Sequence, residues 1–598
     1  MGTVKQHMEL TSGSLKLGVL RSKWREVLER PALPEFLLAL LTLLVYARSL
    51  SMGFVYDDHD MIDNPWVLNW KDIPKVFTQD LINNHRSNFY RPLALLWQVL
   101  VHKLAGTNPA AWHFSAILLH LVCVVLVFRL AWKLLDDRGY ATLAAAVFAL
   151  HPTHVEAVTW VSDAADLLVA AVLMLSALAL LRWLKSGSPV WWTASWLLAT
   201  GCCFVKETGI FMPVLLLTLA FSVESTVSRP AIILTGFSFL LSSCGFLVLR
   251  GQILHGFAHP LSAAGNYEMA LTLPAALWFY LSHLVFPVGL GPFYPLAFVS
   301  RPQSPAFVVP LLLLVVLLGA VGWLYQRLSD RRLFWFCAAW VIAPLIAPLY
   351  LKLFPDFELV HDRYLYLPTI ALGIALAVGL KKLSDATPAG TTYGRHAANY
   401  LTIATVVLVT AAAAETISYQ GVWQDDAHLF QRGVALTPGN ARALVNLGVV
   451  KLQQGNYPQG IALLKRSLEI QPDNAFALFD LGNAAWNNND AATTESYVQK
   501  AVALESHSNW WVILASAKLK LGKLTEAEWA ARQAIAIDPA EPGAHLLLGA
   551  VRLAQGDSAT AVQEISTELR LNPANASARQ ALQVAQEQLA KKRNETFR

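Results

Sequence analysis

Asn440-Ala-Arg-Ala-Leu-Val-Asn-Leu-Gly448 is echoed 34 residues later by Asn474-Ala-Phe-Ala-Leu-Phe-Asp-Leu-Gly482. Small and apolar residues at helical spacing, recurring with a period of about 34, mark stacked helix-turn-helix units. Gly455, Asn489, Gly522 and Gly556 fall at the turns inside the units, and Pro438, Pro472, Pro539 and Pro573 follow each second helix. The phase predicts four repeats, the third degenerate and starting at Trp510-Trp511. It adds a leading half-repeat at Trp423 to Leu436 and a terminal capping helix at Ser577 to Lys591. Stacking buries a face that no single repeat could bury and leaves a concave groove. Its expected occupant is an acceptor or partner polypeptide, with a rigid spacer or dimerisation scaffold as the alternative.

Upstream of the repeats the composition changes character. The whole chain of 598 residues is 55% hydrophobic with only 15% charged residues, and the polar tail already dilutes that figure, so residues 33–418 are expected to live in lipid. The expected fold is all-α: a cytoplasmic basic segment at 1–32, a multi-spanning helical body at 33–418 and an extracytoplasmic α-solenoid at 419–598. The first segment (Lys16, Arg21, Lys23, Arg25, Arg30) lacks a small-residue cleavage site, so the first apolar span is expected as a retained anchor. The spans read from the sequence run from Leu33–Leu50 to Tyr400–Ile417, several of them shorter than the ~20 residues a crossing needs. Residues Tyr267 to Phe298 are apolar but interrupted by prolines and glycines, which suits a re-entrant or interfacial pair. Lys and Arg placement then predicts about eleven crossings, an inside amino terminus and an outside carboxyl terminus. The net charge of +5 is topology information and excludes a nucleic-acid footprint. All five cysteines sit in apolar spans, as packing residues, with no disulfide framework or zinc site.

Polar residues within this body gather in loops assigned to the outer face. Asp57 and Asp58, in Gly53-Phe54-Val55-Tyr56-Asp57-Asp58, are adjacent carboxylates at an interface, which calls for a cation, a donor network or a catalytic task. Either could serve as general base or, if a divalent ion is used, as its ligand; a loop in which Asp58 caps a short helix is the alternative. His154 and Glu156 are metal-ligand candidates without the spacing of a zinc motif, or else a satisfied interfacial histidine and its neighbour. Spacing of three or four is expected to set Asp163, Asp166 and Glu156 along one side of an entering helix. Lys206 either pairs with Glu207 or engages a lipid-linked phosphate, and Arg363 and Arg91 are further phosphate clamps. Tyr364 and Tyr366 flank Arg363.

Taken in order, Gly-Phe-Val-Tyr-Asp-Asp58, Tyr90-Arg91-Pro92-Leu93, His151-Pro-x-His-x-Glu156, Ala165-Asp166-Leu167-Leu168, Lys206-Glu207-x-Gly209 and Asp362-Arg363-Tyr364-Leu-Tyr366-Leu-Pro368 resemble the TMTC family. These are transmembrane-and-tetratricopeptide O-mannosyltransferases of GT-C fold, with bacterial relatives. The resemblance implies inverting transfer of mannose or another hexose from a polyprenyl-phosphate donor to a protein Ser/Thr hydroxyl on the extracytoplasmic face. Carried over, Asp57 and Asp58 hold the catalytic base, and Lys206, Arg363 and Arg91 bind the donor phosphate. His154, Glu156, Asp163, Asp166, Glu207, Tyr364 and Tyr366 support the site. The family motif has glutamate where this chain has Asp362, and Gly-Arg where it has Asp163-Ala164, which leaves sugar and acceptor open. A bacterial inner membrane and an undecaprenyl-phosphate donor are expected over the endoplasmic reticulum. The alternatives are an envelope assembly scaffold with an inactive anchor, and a lipid-linked sugar transporter.

Overall fold

The computed structural model describes residues 30, 32–62, 71, 73–79, 88–257, 259–328, 331–386 and 392–596. Most of the basic amino-terminal segment, and parts of the stretch between the acidic pair and Arg91, lie outside them. The chain forms two compact units, the first ending at Leu436 and the second beginning at Thr437. Among the described residues every regular element is helical.

Among the described residues six helices are long and apolar enough to cross a membrane: Leu33–Ser51, Pro109–Leu135, Val161–Ser186, Arg229–Ile253, Pro305–Arg327 and Ile403–Trp423. Other apolar spans of the sequence form shorter helices, such as Pro189–Val205, Glu207–Ser222 and Arg332–Leu345. Three of them, Pro109–Leu135, Pro189–Val205 and Pro305–Arg327, start at a polar residue followed by proline. Asn108 caps Pro109–Leu135 by accepting from the Ala110 N–H at 3.0 Å, and Ser304 does the same for Pro305–Arg327 at 3.3 Å. Proline in the first turn needs no N–H partner and is pre-set to the helical φ. In the segment Tyr267 to Phe298, expected as a re-entrant or interfacial pair, the first half is a single 20-residue helix, Asn266–Val285, with Pro274 inside it. Only the second half, rich in proline and glycine, leaves the helical state.

Packing sorts these helices. Pro109–Leu135 and Ala164–Ser186 bury alanine-rich faces (Ala116, Ala131, Ala170, Ala177) and form the middle of the unit. At Gly373 an added Cβ would stand 2.5 Å from the Ala144 carbonyl oxygen, so the helices Pro368–Ala386 and Arg138–Ala149 touch backbone to backbone there. Close approach through small residues is how helices associate where lipid supplies no hydrophobic drive. Pro305–Arg327, by contrast, buries only Leu314 and exposes Val309, Leu312, Val316 and Leu318. A helix apolar on every side with almost nothing packed on it has lipid as its counterpart.

In the second unit four helix pairs run from Ala441–Gln453 with Tyr457–Ile470 to Ala544–Ala554 with Ser558–Leu571, followed by Ala576–Thr596. The four turn residues named from the sequence all have left-handed φ, from 65° at Asn489 to 82° at Gly556. Asn440 and Asn474 cap their helices through the N–H groups of Ala443 and Ala477, each at 3.1 Å. The third repeat starts at Ser508, two residues before the tryptophan pair. The helix Asp426–Leu436, expected as the leading half-repeat, belongs to the first unit.

Candidate functional site

The acidic loop begins where the first span ends. Asp57 and Asp58 start a short helix, Asp57–Ile62, after Tyr56, which has a left-handed φ of 53°. The two carboxylates part company at once: Asp57 is exposed and Asp58 fully buried. Asp58 Oδ2 accepts from the Val55 N–H at 3.1 Å, and Oδ1 accepts from the Ser162 N–H at 2.9 Å and the Ser162 hydroxyl at 2.5 Å. Burial pushes Asp58 up to about 7, against the hydrogen bonds that lower it,. Asp58 therefore ties the acidic loop to Ser162, next to Asp163.

From Asp163 the network spreads through buried ion pairs. The 3-10 turn Val161–Asp163 runs into the helix Ala164–Ser186, which sets Asp163 and Asp166 facing Lys206. The ammonium is 3.3 Å from Asp163 Oδ1 and hydrogen bonded to Asp166 Oδ2. Glu156 is not on that helix, contrary to the spacing argument. It sits on a separate turn, His154–Thr159, and is gripped by Arg363 twice, through the guanidinium and through the Arg363 N–H at 3.1 Å. Arg363 Nε lies 4.0 Å from Asp163 Oδ2. Glu207 turns away from Lys206 and takes Arg91, at 2.9 Å from Nε and 2.8 Å from Nη2. Lys206 and Glu207 diverge because the chain doubles back after them: a Cβ on Gly209 would stand 2.3 Å from the Cys202 carbonyl oxygen.

Three cations thus meet four carboxylates, as buried charges must. Their openness differs. The side chains of Arg91 and Arg363 are 21% and 14% exposed and that of Lys206 2%. The ring of Tyr364 lies 5.3 Å from the Lys206 ammonium and 5.1 Å from the Arg363 guanidinium, and Trp160 lies 5.0 Å from the latter. His154 and Tyr366 join a different group: His154 bonds the Thr369 hydroxyl at 2.6 Å, and Tyr366 bonds His120 at 2.7 Å. Among the described residues, no group of three or more His, Cys, Asp or Glu side chains is arranged to hold a metal ion.

Several participants carry no signal in the sequence. Arg250, at the end of an apolar helix, holds the carbonyls of Asn88 and Phe257 at 2.7 and 2.6 Å beside Arg91 and Glu207. Ser162 and Trp160 are ordinary residues until folding brings them to Asp58 and Arg363. Asp362, buried beside Arg363, is held by the hydroxyl of Tyr294 and, at 3.5 Å, that of Tyr419.

Residues 91–248 match the family of dolichyl-phosphate-mannose-protein mannosyltransferases. The match includes Arg91, Glu156, Asp163, Asp166, Lys206 and Glu207. Tetratricopeptide-repeat matches run across residues 419–576. Human protein O-mannosyl-transferase TMTC1 is 27% identical over 72% of this chain and 54% of its own length. Mouse protein O-mannosyl-transferase TMTC3 is 24% identical over 89% and 63%. The chain is similar to the TMTC protein O-mannosyl-transferases. It spans a little over half to about three fifths of the length of these TMTC proteins. Of solved structures, YrrB, described as a TPR protein with an unusual peptide-binding site, aligns with 28% of this chain and 86% of its own at 17% identity and a TM-score of 0.26.

Proposed function

We propose that this chain is a membrane O-mannosyltransferase that moves a sugar from a polyprenyl-phosphate donor to a Ser or Thr hydroxyl of a protein on the extracytoplasmic face. One observation carries the reading: acidic and basic residues from four separate stretches meet in one connected network, running from Asp58 through Ser162 to Asp163, Lys206 and Arg363. A rigid scaffold has no need of so many desolvated charges.

The division of labour follows exposure. Asp57 is the base, because it is exposed to solvent while Asp58 is fully buried. It takes the proton of the acceptor hydroxyl, whose oxygen attacks the anomeric carbon. The bond from that carbon to the phosphate oxygen breaks on the opposite face, inverting the centre. Charge then grows on the departing phosphate. Arg363 and Arg91 keep N–H donors beyond those given to their carboxylates, since a guanidinium has five, and they answer that charge as it develops. Lys206, almost sealed, holds Asp163 and Asp166 in register behind them. The repeat unit holds the acceptor polypeptide.

The test supplies purified chain with a polyprenyl-phosphate mannose and a Ser/Thr-rich acceptor. Asp57→Asn is expected to cut turnover about 10²-fold or more. Full transfer by that variant would sink the assignment of the base, and no transfer by the parent chain would sink the activity.

A further inference from the structure

The acidic loop is held from a second side, by the segment that follows the last apolar helix. Asp426 Oδ1 accepts from the Tyr56 N–H at 2.8 Å, and Asp426 Oδ2 lies 3.0 Å from His59 Nε2. One carboxylate thus grips the chain on both sides of Asp57-Asp58. Two residues earlier the Gln424 carbonyl accepts from the Gly53 N–H at 3.1 Å. Four residues later Phe430 meets the Tyr56 ring edge-on, with centroids 5.9 Å apart. Trp423 stacks on Trp160 at 6.0 Å, and Trp160 in turn faces the Arg363 guanidinium.

Two details separate this contact from ordinary helix capping. The helix Asp426–Leu436 is capped by Asp425, whose Oδ1 accepts from the His428 N–H at 2.9 Å. Asp426 is therefore not needed for that end. In addition, the loop it grips is strained: Tyr56 occupies the left-handed region at φ 53°, where a non-glycine residue stays only when its surroundings hold it.

We propose that Asp426 is a positioning residue, clamping the turn Tyr56–His59 so that the exposed Asp57 is held at the reaction site. Asp58 anchors the inner side of the turn through Ser162, and Asp426 fixes the outer side. The clamp rests on the transferase reading above for its purpose, though not for its geometry. A shift of about 1 Å in a reacting group costs about 10²-fold in rate.

The full chain in nanodiscs is measured in two ways, as Asp426→Ala and Asp426→Asn: amide hydrogen exchange of residues 54–60, and transfer kinetics with polyprenyl-phosphate mannose. Asp426→Ala is expected to speed exchange in that stretch about tenfold, leaving the melting temperature within a few degrees. It lowers kcat about 10²-fold with the donor KM nearly unchanged. Asp426→Asn keeps an oxygen for the Tyr56 N–H and an amide for His59, and recovers most of both. Unchanged loop exchange in Asp426→Ala overturns the clamp, as does a loosened loop with undiminished kcat. If the parent chain transfers no sugar, the transferase reading falls while the exchange measurement still decides the clamp.

Discussion

Adjacent aspartates with opposite environments give the site its clearest residue-scale signature. Asp58 is buried and pushed up to about 7, so it keeps its proton in the folded chain at pH values where the unfolded chain has lost it. The folded state then binds more protons between the ordinary aspartate range and about pH 7, and stability falls as pH rises through that window. The melting temperature, followed from pH 4.5 to 8 (roughly that window), should decline more steeply for the parent chain than for Asp58→Asn, which cannot titrate. Equal slopes would refute the buried titration. That an Asp-Asp pair needed a partner network was legible in the sequence. Which of the two is sealed was not, because the residue that holds Asp58, Ser162, lies 104 positions away. Lys206 gives the same lesson: pairing with its sequence neighbour Glu207 was the simple alternative, and folding gave Glu207 to Arg91 instead.

At the level of elements, the turn Lys206 to Gly209 decides whether the cations sit together. An added methyl at Gly209 would meet backbone, the Cys202 carbonyl at 2.3 Å, and backbone cannot swing aside as a side chain can. Gly209→Ala is therefore expected to destabilise by about 2–3 kcal/mol or force the turn open. Thermal unfolding would show the loss, and transfer activity should fall further than stability alone explains, since Lys206 and Glu207 are the residues displaced. A variant of normal stability and activity would show that the turn relaxes. Helix positions themselves were readable from hydrophobic runs. In the run Tyr267 to Phe298 the helix continues through Pro274, because proline inside an apolar helix is tolerated more readily in a lipid setting than in water.

Across the whole molecule, the first compact unit ends at Leu436 and so includes Tyr419, Trp423 and Asp426. A chain ending at Leu436 is expected to keep transfer to a short Ser/Thr peptide while losing about 10²-fold on a long polypeptide acceptor that needs a second point of attachment. One ending at Ser418 should lose both, since Asp362 loses the Tyr419 hydroxyl, Trp160 loses Trp423, and the acidic loop loses Asp426. Comparable peptide transfer by the two truncations would show that the segment 419–436 is dispensable to the site. By itself the sequence determined what depends on local spacing: helical repeats with their turn glycines, apolar helices with their caps, and a set of charged motifs too numerous for idle loops. Tertiary structure alone decided which charges pair, which aspartate is open, and that Asp426 returns to Tyr56 and His59 across more than 360 residues. The reason is physical. Periodicity and capping act within a few residues, whereas a buried charge finds its partner only when distant helices close around it and remove the water that would otherwise have served.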